Sequence, residues 1–364
     1  MKKPTTRFKI SFLFLALSLL LLPGCQVRPT HPGIQLNTQT EILEINTLPP
    51  ATPTQKVSLT ITKENTKTAT STALPPAGKQ VTLMAVGDIM LGRTLADLIQ
   101  SAGTTAPFSQ VSNYLSSADI TLGNLECAIS TQGEPETKAY TFRAPLEAAE
   151  SLRMAGFDLV NLANNHVLDY GEVAFFDTLH SLSEQTISYV GAGSNAIKAR
   201  TPVIIEKNGL KLAFLGYFDI PIGPYDYTQW QAVGEQPGIA WGFHHYISED
   251  VKKARLEADV VIVMMHFGNE YAEVISQAQI DSAYTAIDAG ATLVIGSHPH
   301  VLQPIEIYND GLIAYSLGNF VFDQFYEKAN QTAILRVGIS SEGLMSYDLV
   351  PVQIQADGTP MLLP

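Results

Sequence analysis

Cysteine is nearly absent: the 364 residues hold two, Cys25 and Cys127. That excludes a disulfide framework. A bridge between the two would tie the leader region to the body and is not expected. Cys127 has no nucleophile signature around it and reads as a small buried residue. Basic charge is also scarce where a core would form. Residues 79–364 carry fourteen Lys/Arg against thirty-two Asp/Glu, whereas residues 1–78 carry eight against three. So acidic a body argues against nucleic-acid binding, because phosphate recognition needs clustered cations. It is compatible with solubility and with divalent cations. No internal repeat is visible. What the chain does have is a hydrophobic content of 46% and a mean hydropathy of +0.10, ample for a core. Its length allows one large domain or two ordinary ones, plus tails.

Residues 1–25 read as an export signal. Lys2, Lys3, Arg7 and Lys9 precede the apolar run Ile10 to Leu22, which is short for a spanning helix. Leu22-Pro23-Gly24-Cys25 resembles a bacterial lipobox, in which the cysteine is lipidated after cleavage. Leu at −3 and Gly at −1 fit that pattern, and Pro at −2 departs from it. Residues 26–78 are rich in Thr, Pro, Ser, Asn and Gln and lack aromatic residues. Such a segment buries too little surface to offset its ordering entropy, so a disordered stalk is expected. The folded domain is expected over 79–364.

Within it, apolar runs that read as strands alternate with helical stretches, and hairpins follow. This pattern suggests a mixed α/β sheet architecture. Five of the runs end in polar clusters: Asp88, then Asn124 and Glu126, then Asn165 and His166, then His266, and finally His298 and His300 around Pro299. Each cluster alone has an ordinary explanation, such as a helix cap, a turn or a satisfied buried histidine. All five share one topological position, the carboxyl ends of strands, where open α/β sheets build their sites. Carboxylates, imidazoles and an amide oxygen together suit a divalent metal. Glu126 can bridge two ions, and a two-metal centre activates water and clamps the attacked group. His166 can protonate a leaving group, with Asp169 near enough in sequence to orient it. Arg93 and Arg143 are candidates for gripping an anionic substrate.

The ordered motifs Gly-Asp-Ile-Met-Leu-Gly-Arg (87–93), Gly-Asn-Leu-Glu (123–126), Asn-Asn-His (164–166), His-Phe-Gly-Asn-Glu-Tyr (266–271), Gly-Ser-His-Pro-His-Val-Leu-Gln (296–303) and Ser-Leu-Gly-Asn-Phe-Val-Phe-Asp-Gln (316–324) resemble the capsule synthesis protein CapA family of poly-γ-glutamate biosynthesis. The resemblance covers about residues 80–325. It implies a metallophosphoesterase-like four-layer αββα sandwich of two mixed sheets, and an extracytoplasmic role anchored to the bacterial membrane. By the broader phosphoesterase pattern, Asp88, Glu126 (or Asn124 in its place as the bridging ligand), Asn165, His266, His298 and His300 would be metal ligands and His166 the acid. Asn124 otherwise joins Arg93 and Arg143 as a candidate to face substrate. The cofactor would be one or two divalent ions of the Mn, Zn or Fe kind. The partners would be poly-γ-glutamate or a similar anionic polymer, the membrane through lipidated Cys25, and membrane synthase subunits.

One departure stands out. The phosphoesterase pattern begins Asp-x-His, whereas here Met90 occupies the histidine position. One metal position therefore loses a nitrogen donor. Three functions follow as alternatives: metal-assisted hydrolysis or transfer of γ-glutamyl amide bonds, a phosphoesterase acting on an extracellular substrate, or a non-catalytic synthase subunit.

Overall fold

A computed structural model describes residues 79–220, 225–323 and 327–364. The expected signal, the lipidation site Cys25 and the 26–78 stalk lie outside the described residues. Two sheets stack face to face. In the first, the strands run in the order Pro360–Leu362, Gly343–Ile354, Gln331–Ser340, Gln80–Ile89, Ile120–Leu125, Leu159–Asn161, Ser188–Val190. The short strand Asn319–Val321 pairs parallel with the end of Gln80–Ile89. The second sheet runs Ile305–Tyr308, Gly311–Ala314, Leu293–Ser297, Val260–Phe267, Leu210–Asp219, Val203–Lys207. Both sheets are mixed: in the first, parallel strands run to one edge and antiparallel strands to the other, and in the second, antiparallel edge strands flank a parallel centre.

The period-2 alternation of the strands builds the layers. In Gln80–Ile89, Val81, Leu83 and Ala85 point between the sheets, whereas Met84 and Val86 point to the outer face. In Val260–Phe267, Val260, Ile262 and Met264 point inward, and Val261, Val263, Met265 and Phe267 point outward. Both faces are apolar, so these strands read as near-continuous hydrophobic runs. Helices Thr94–Ala102, Glu147–Ala155 and Gly171–Glu184 cover the outer face of the first sheet through Leu95, Ile99, Leu152, Phe175 and Leu182. Helices His244–Ala254 and Gln277–Asp288 cover the second through Ile247, Val251, Ala283 and Ala286. Each such fully buried Leu, Ile or Val is worth about 1.5–3 kcal/mol relative to exposure. The result is the four-layer αββα arrangement expected from the sequence. Among the described residues no helix is long and apolar enough to cross a membrane.

Register does the rest. Asp88 lies opposite Asn319 on one side and Asn124 on the other, and Asn124 lies opposite Asn161. Four polar residues thus form one row across the first sheet, three at the carboxyl ends of their parallel strands and Asn319 at the start of its own. In the second sheet His266 pairs with Ser297. His266, which the sequence puts at the end of an apolar run, lies within the strand Val260–Phe267 and has the inward parity of Met264.

Candidate metal centre

Glu126 follows directly on the Ile120–Leu125 strand, its amide held by the carbonyl of Ile89 at 2.8 Å. Its side chain is fully buried, and neither carboxylate oxygen has a hydrogen-bond partner. Around Oε1 stand three imidazole nitrogens: Nε2 of His266 at 3.8 Å, and Nε2 of His166 and of His300 at 3.9 Å each. A bare buried carboxylate costs several kcal/mol. Donors that each sit about 2.0–2.2 Å from one ion are separated by roughly this distance. Two triads have donor atoms mutually within 4.8 Å, Glu126 with His266 and His298, and Asp88 with Glu126 and His300. They share Glu126, which is the geometry of a bridging ligand. His298 Nδ1 is buried and unpartnered as well. The residues present therefore fit one or two divalent cations.

The backbone that presents the late histidines is unusual. His298 and His300 adopt positive φ, 96° and 58°, on either side of Pro299. Left-handed backbone is costly for a non-glycine residue and concentrates at functional sites. The turn is pinned by the His298 amide, which donates to Asp88 Oδ2 at 3.2 Å, and by the Pro299 carbonyl, which accepts from the Tyr271 amide at 2.8 Å. His300 Nδ1 bonds Asn319 Oδ1 at 2.8 Å and lies 3.4 Å from Asp88 Oδ2.

Beneath the cluster Asn124 acts as a hub. Its Nδ2 donates to Asp88 Oδ1 at 2.8 Å and lies 3.2 Å from His266 Nδ1, and its Oδ1 accepts from Asn161 at 3.1 Å and Asn164 at 3.2 Å. His266 Nδ1 also meets Ser297 Oγ at 3.0 Å, and its Nε2 lies 2.8 Å from Asn165 Oδ1. That places an amide oxygen beside an imidazole nitrogen.

His166 is arranged differently. Its Nδ1 bonds Asp169 Oδ2 at 2.6 Å, and Asp169 Oδ1 pairs with Lys138 at 2.6 Å. Lys138 also donates to the Asn165 carbonyl, and it sits among the rings of Tyr225, Tyr227 and Trp230 at 5.8, 5.3 and 5.0 Å. Phe142 stacks on the imidazole at 4.0 Å. Asp169 therefore fixes the ring and leaves Nε2 facing Glu126.

Electrostatics follow burial. Burial, reinforced by the Asp88 carboxylate, pushes the Glu126 carboxyl well above the usual range. Burial holds His266 and His298 well below the ordinary imidazole value, and neighbouring histidines add to the effect. His166 is lowered by burial and by Lys138. Burial also acts to lower His300, but the Asp88 carboxylate outweighs it and the net shift is upward. Burial raises Asp169 to about 7 against the pull of Lys138. Neutral imidazole is the ligand form, and His266 and His298 are held in it.

The structure brings Asp88, Asn124, Glu126, Asn165, His166, His266, His298 and His300 together. Arg93 lies at the rim, its guanidinium paired with Asp323 and over the Phe142 ring at 4.7 Å. Arg143 lies over Tyr170 at 4.2 Å and donates to the carbonyls of Gln132 and Gly133. Met90 is fully buried, and its sulfur accepts the Gly92 amide hydrogen at 3.1 Å. Sequence reasoning missed Asn161, Asn164, Ser297 and Asn319, though the last three lie in motifs it quoted. Lys138 had no signal: it stands in the irregular stretch 131–142.

Comparison with known proteins gives the family. A family model described as bacterial capsule synthesis protein PGA_cap matches residues 82–324. The chain is 35% identical over 290 residues to a capsule biosynthesis protein CapA of Bacillus anthracis, covering 78% of this chain and 69% of that one. It is 32% identical over 278 residues to a PGA biosynthesis protein CapA of Bacillus subtilis, covering 76% and 72%. A probable polyglutamine synthesis accessory protein of Mycobacterium tuberculosis is 28% identical over 253 residues, covering 65% and 66%. The matched span holds every residue of the cluster from Asp88 to Asn319, and on that basis the chain belongs to the bacterial capsule synthesis protein family PGA_cap, together with the CapA proteins.

Proposed function

We propose that this chain acts in poly-γ-glutamate capsule biosynthesis as an extracytoplasmic, membrane-anchored protein whose Glu126 cluster works on γ-glutamyl amide bonds with a divalent cation. The observation that carries the reading is the Glu126 carboxylate, buried, unpartnered and ringed by three imidazole nitrogens. The names of the similar proteins support the polymer, and the leader ending at Cys25 supports the anchor. Glu126, Asp88, Asn165, His266, His298 and His300 would hold the metal, which supplies Lewis-acid polarisation of a carbonyl.

The chain's own residues do the remainder. Asp169 holds His166 by Nδ1, so Nε2 is the atom that takes the proton of the attacking water or amine and then passes it to the departing amine. Phe142 stacks on the His166 ring and keeps water from that face of the imidazole. Arg93, with its side chain 40% exposed at the rim, is placed to meet a polymer carboxylate. The nearby cations Arg93, Lys138 and Arg143 already have protein partners, so a polyanion depends on the metal for most of its counter-charge.

The test is incubation of the metal-loaded full-length protein with poly-γ-glutamate, followed by measurement of polymer length and of transfer to an added amine. Expected is cleavage or transfer that falls about 100-fold or more in His166→Ala and disappears in His266→Ala. An unchanged polymer, with capsule production intact in cells carrying His166→Ala, would instead establish a non-catalytic role.

A further inference from the structure

Beyond the two triads that share Glu126, the structure holds a third convergence of donors. One atom each of Glu270, His298 and His300 lie mutually within 4.8 Å. Glu270 is exposed, whereas both histidines are buried. It stands on the loop that follows strand Val260–Phe267.

That loop is held in place. Gly268 turns it at φ 93°, close enough that a Cβ there would lie 2.7 Å from the Gln279 side chain. Gln279 is locked by the capping box with Ser276. Its Nε2 donates to Gln303 Oε1 at 2.8 Å, and Gln303 in turn donates to the Ala272 carbonyl at 2.7 Å. The residue after Glu270 donates its amide to the carbonyl of Pro299, between the two histidines, at 2.8 Å. The chain thus spends several hydrogen bonds on setting Glu270 against His298 and His300.

The second cation position needs such a donor. Asp88, Glu126 and His300 supply two carboxylates and one imidazole. Position 90, two residues beyond Asp88, adds nothing, because the Met90 sulfur is buried and takes the Gly92 amide hydrogen. The unpartnered oxygens of fully buried Glu126 show independently that this space is built for a cation. We infer that Glu270 is a metal ligand that, through its convergence with the shared His300, completes the Asp88–Glu126–His300 position from the exposed side and makes it a harder, oxygen-rich site than the Glu126–His266–His298 position.

The two positions then differ in kind. One offers two imidazoles, a carboxylate and the neighbouring Asn165 amide oxygen. The other offers three carboxylates and one imidazole. Imidazole-rich sites suit zinc and similar ions, and carboxylate-rich sites suit manganese or magnesium. The inference rests on the metal reading of the cluster but not on the polymer.

The experiment is metal binding to the full-length protein, with zinc and manganese titrated separately and together. Bound manganese is read by its electron paramagnetic resonance signal and total metal by mass spectrometry. The wild-type chain is expected to take one zinc tightly and one manganese beside it. Glu270→Gln should keep the zinc and weaken manganese about tenfold or more, with an unchanged melting profile in the metal-free state showing that the fold is intact. Asp97→Asn, on an exposed helix face away from the cluster, should change neither. Two cations bound equally by wild type and Glu270→Gln would overturn the assignment of Glu270 alone. Failure of the wild-type chain to bind either cation would overturn it together with the metal reading.

Discussion

Glu126 faces opposing demands at the level of a single side chain. Without a cation it is a buried carboxylate with no hydrogen-bond donor, beside a second carboxylate. Its folded-state pKa is raised, so the unfolded chain gives up the proton first. The penalty on the folded state is therefore absent below about pH 4.5 and grows as pH rises toward the folded pKa. In metal-free protein, Glu126→Gln should accordingly be more stable than wild type at pH 8, by about 1–2 kcal/mol. The difference should close as pH falls toward 4.5. With saturating divalent metal the order should reverse, because the variant loses its ligand. Thermal melts at pH 8 and pH 5, with and without metal, check both signs. The three histidines of depressed pKa work in the opposite direction. His166, His266 and His298 favour protonation in the unfolded chain, so they lower stability as pH falls below about 6.5. The Glu126→Gln comparison cancels that contribution to the extent that the substitution leaves the imidazoles in place.

The strand Gln80–Ile89 is the element that brings the two halves of the cluster together, and Gly87 is its tightest point. A Cβ there would fall 1.8 Å from the Gly318 carbonyl oxygen, the atom that accepts the Asp88 amide at 2.9 Å. Gly87→Ala should therefore cost about 1–3 kcal/mol of stability by overpacking. By displacing Asp88 from Asn319 and the His298 amide, it should also weaken metal binding more than a simple loss of stability predicts. Urea unfolding and metal titration on the same sample separate the two effects. The same strand shows what sequence could and could not reveal. Val81 to Val86 are legible because a strand buried on both faces leaves a near-continuous apolar run, and the helix Gly171–Glu184 is legible for its length and pattern. The strands Ser188–Val190 and Asn319–Val321 were not, since three residues carry no period. His266 was placed past its strand because a buried polar side chain breaks an apolar run without ending the ladder. Asp88, Glu126 and the late histidines could be grouped by their shared strand-end position. The asparagine row could not, because it depends on inter-strand register, which pairing partners decide.

For the molecule as a whole, a cation that binds only the folded state stabilises it by mass action, about 2.7 kcal/mol at a hundredfold excess over Kd. Removal of metal with a chelator should lower the melting temperature by several degrees. The same treatment should leave His266→Ala nearly unmoved, and scanning calorimetry reads both. The chain's entry point has a spatial consequence. Gln80 opens the first strand and Asp88 lies near its other end, so at about 3.3 Å per residue the polypeptide enters roughly 26 Å from the cluster, at the opposite pole of the sandwich. Anything fastened upstream of Lys79 therefore pulls from behind. The face that carries the Glu126 cluster is left turned away from that point of attachment.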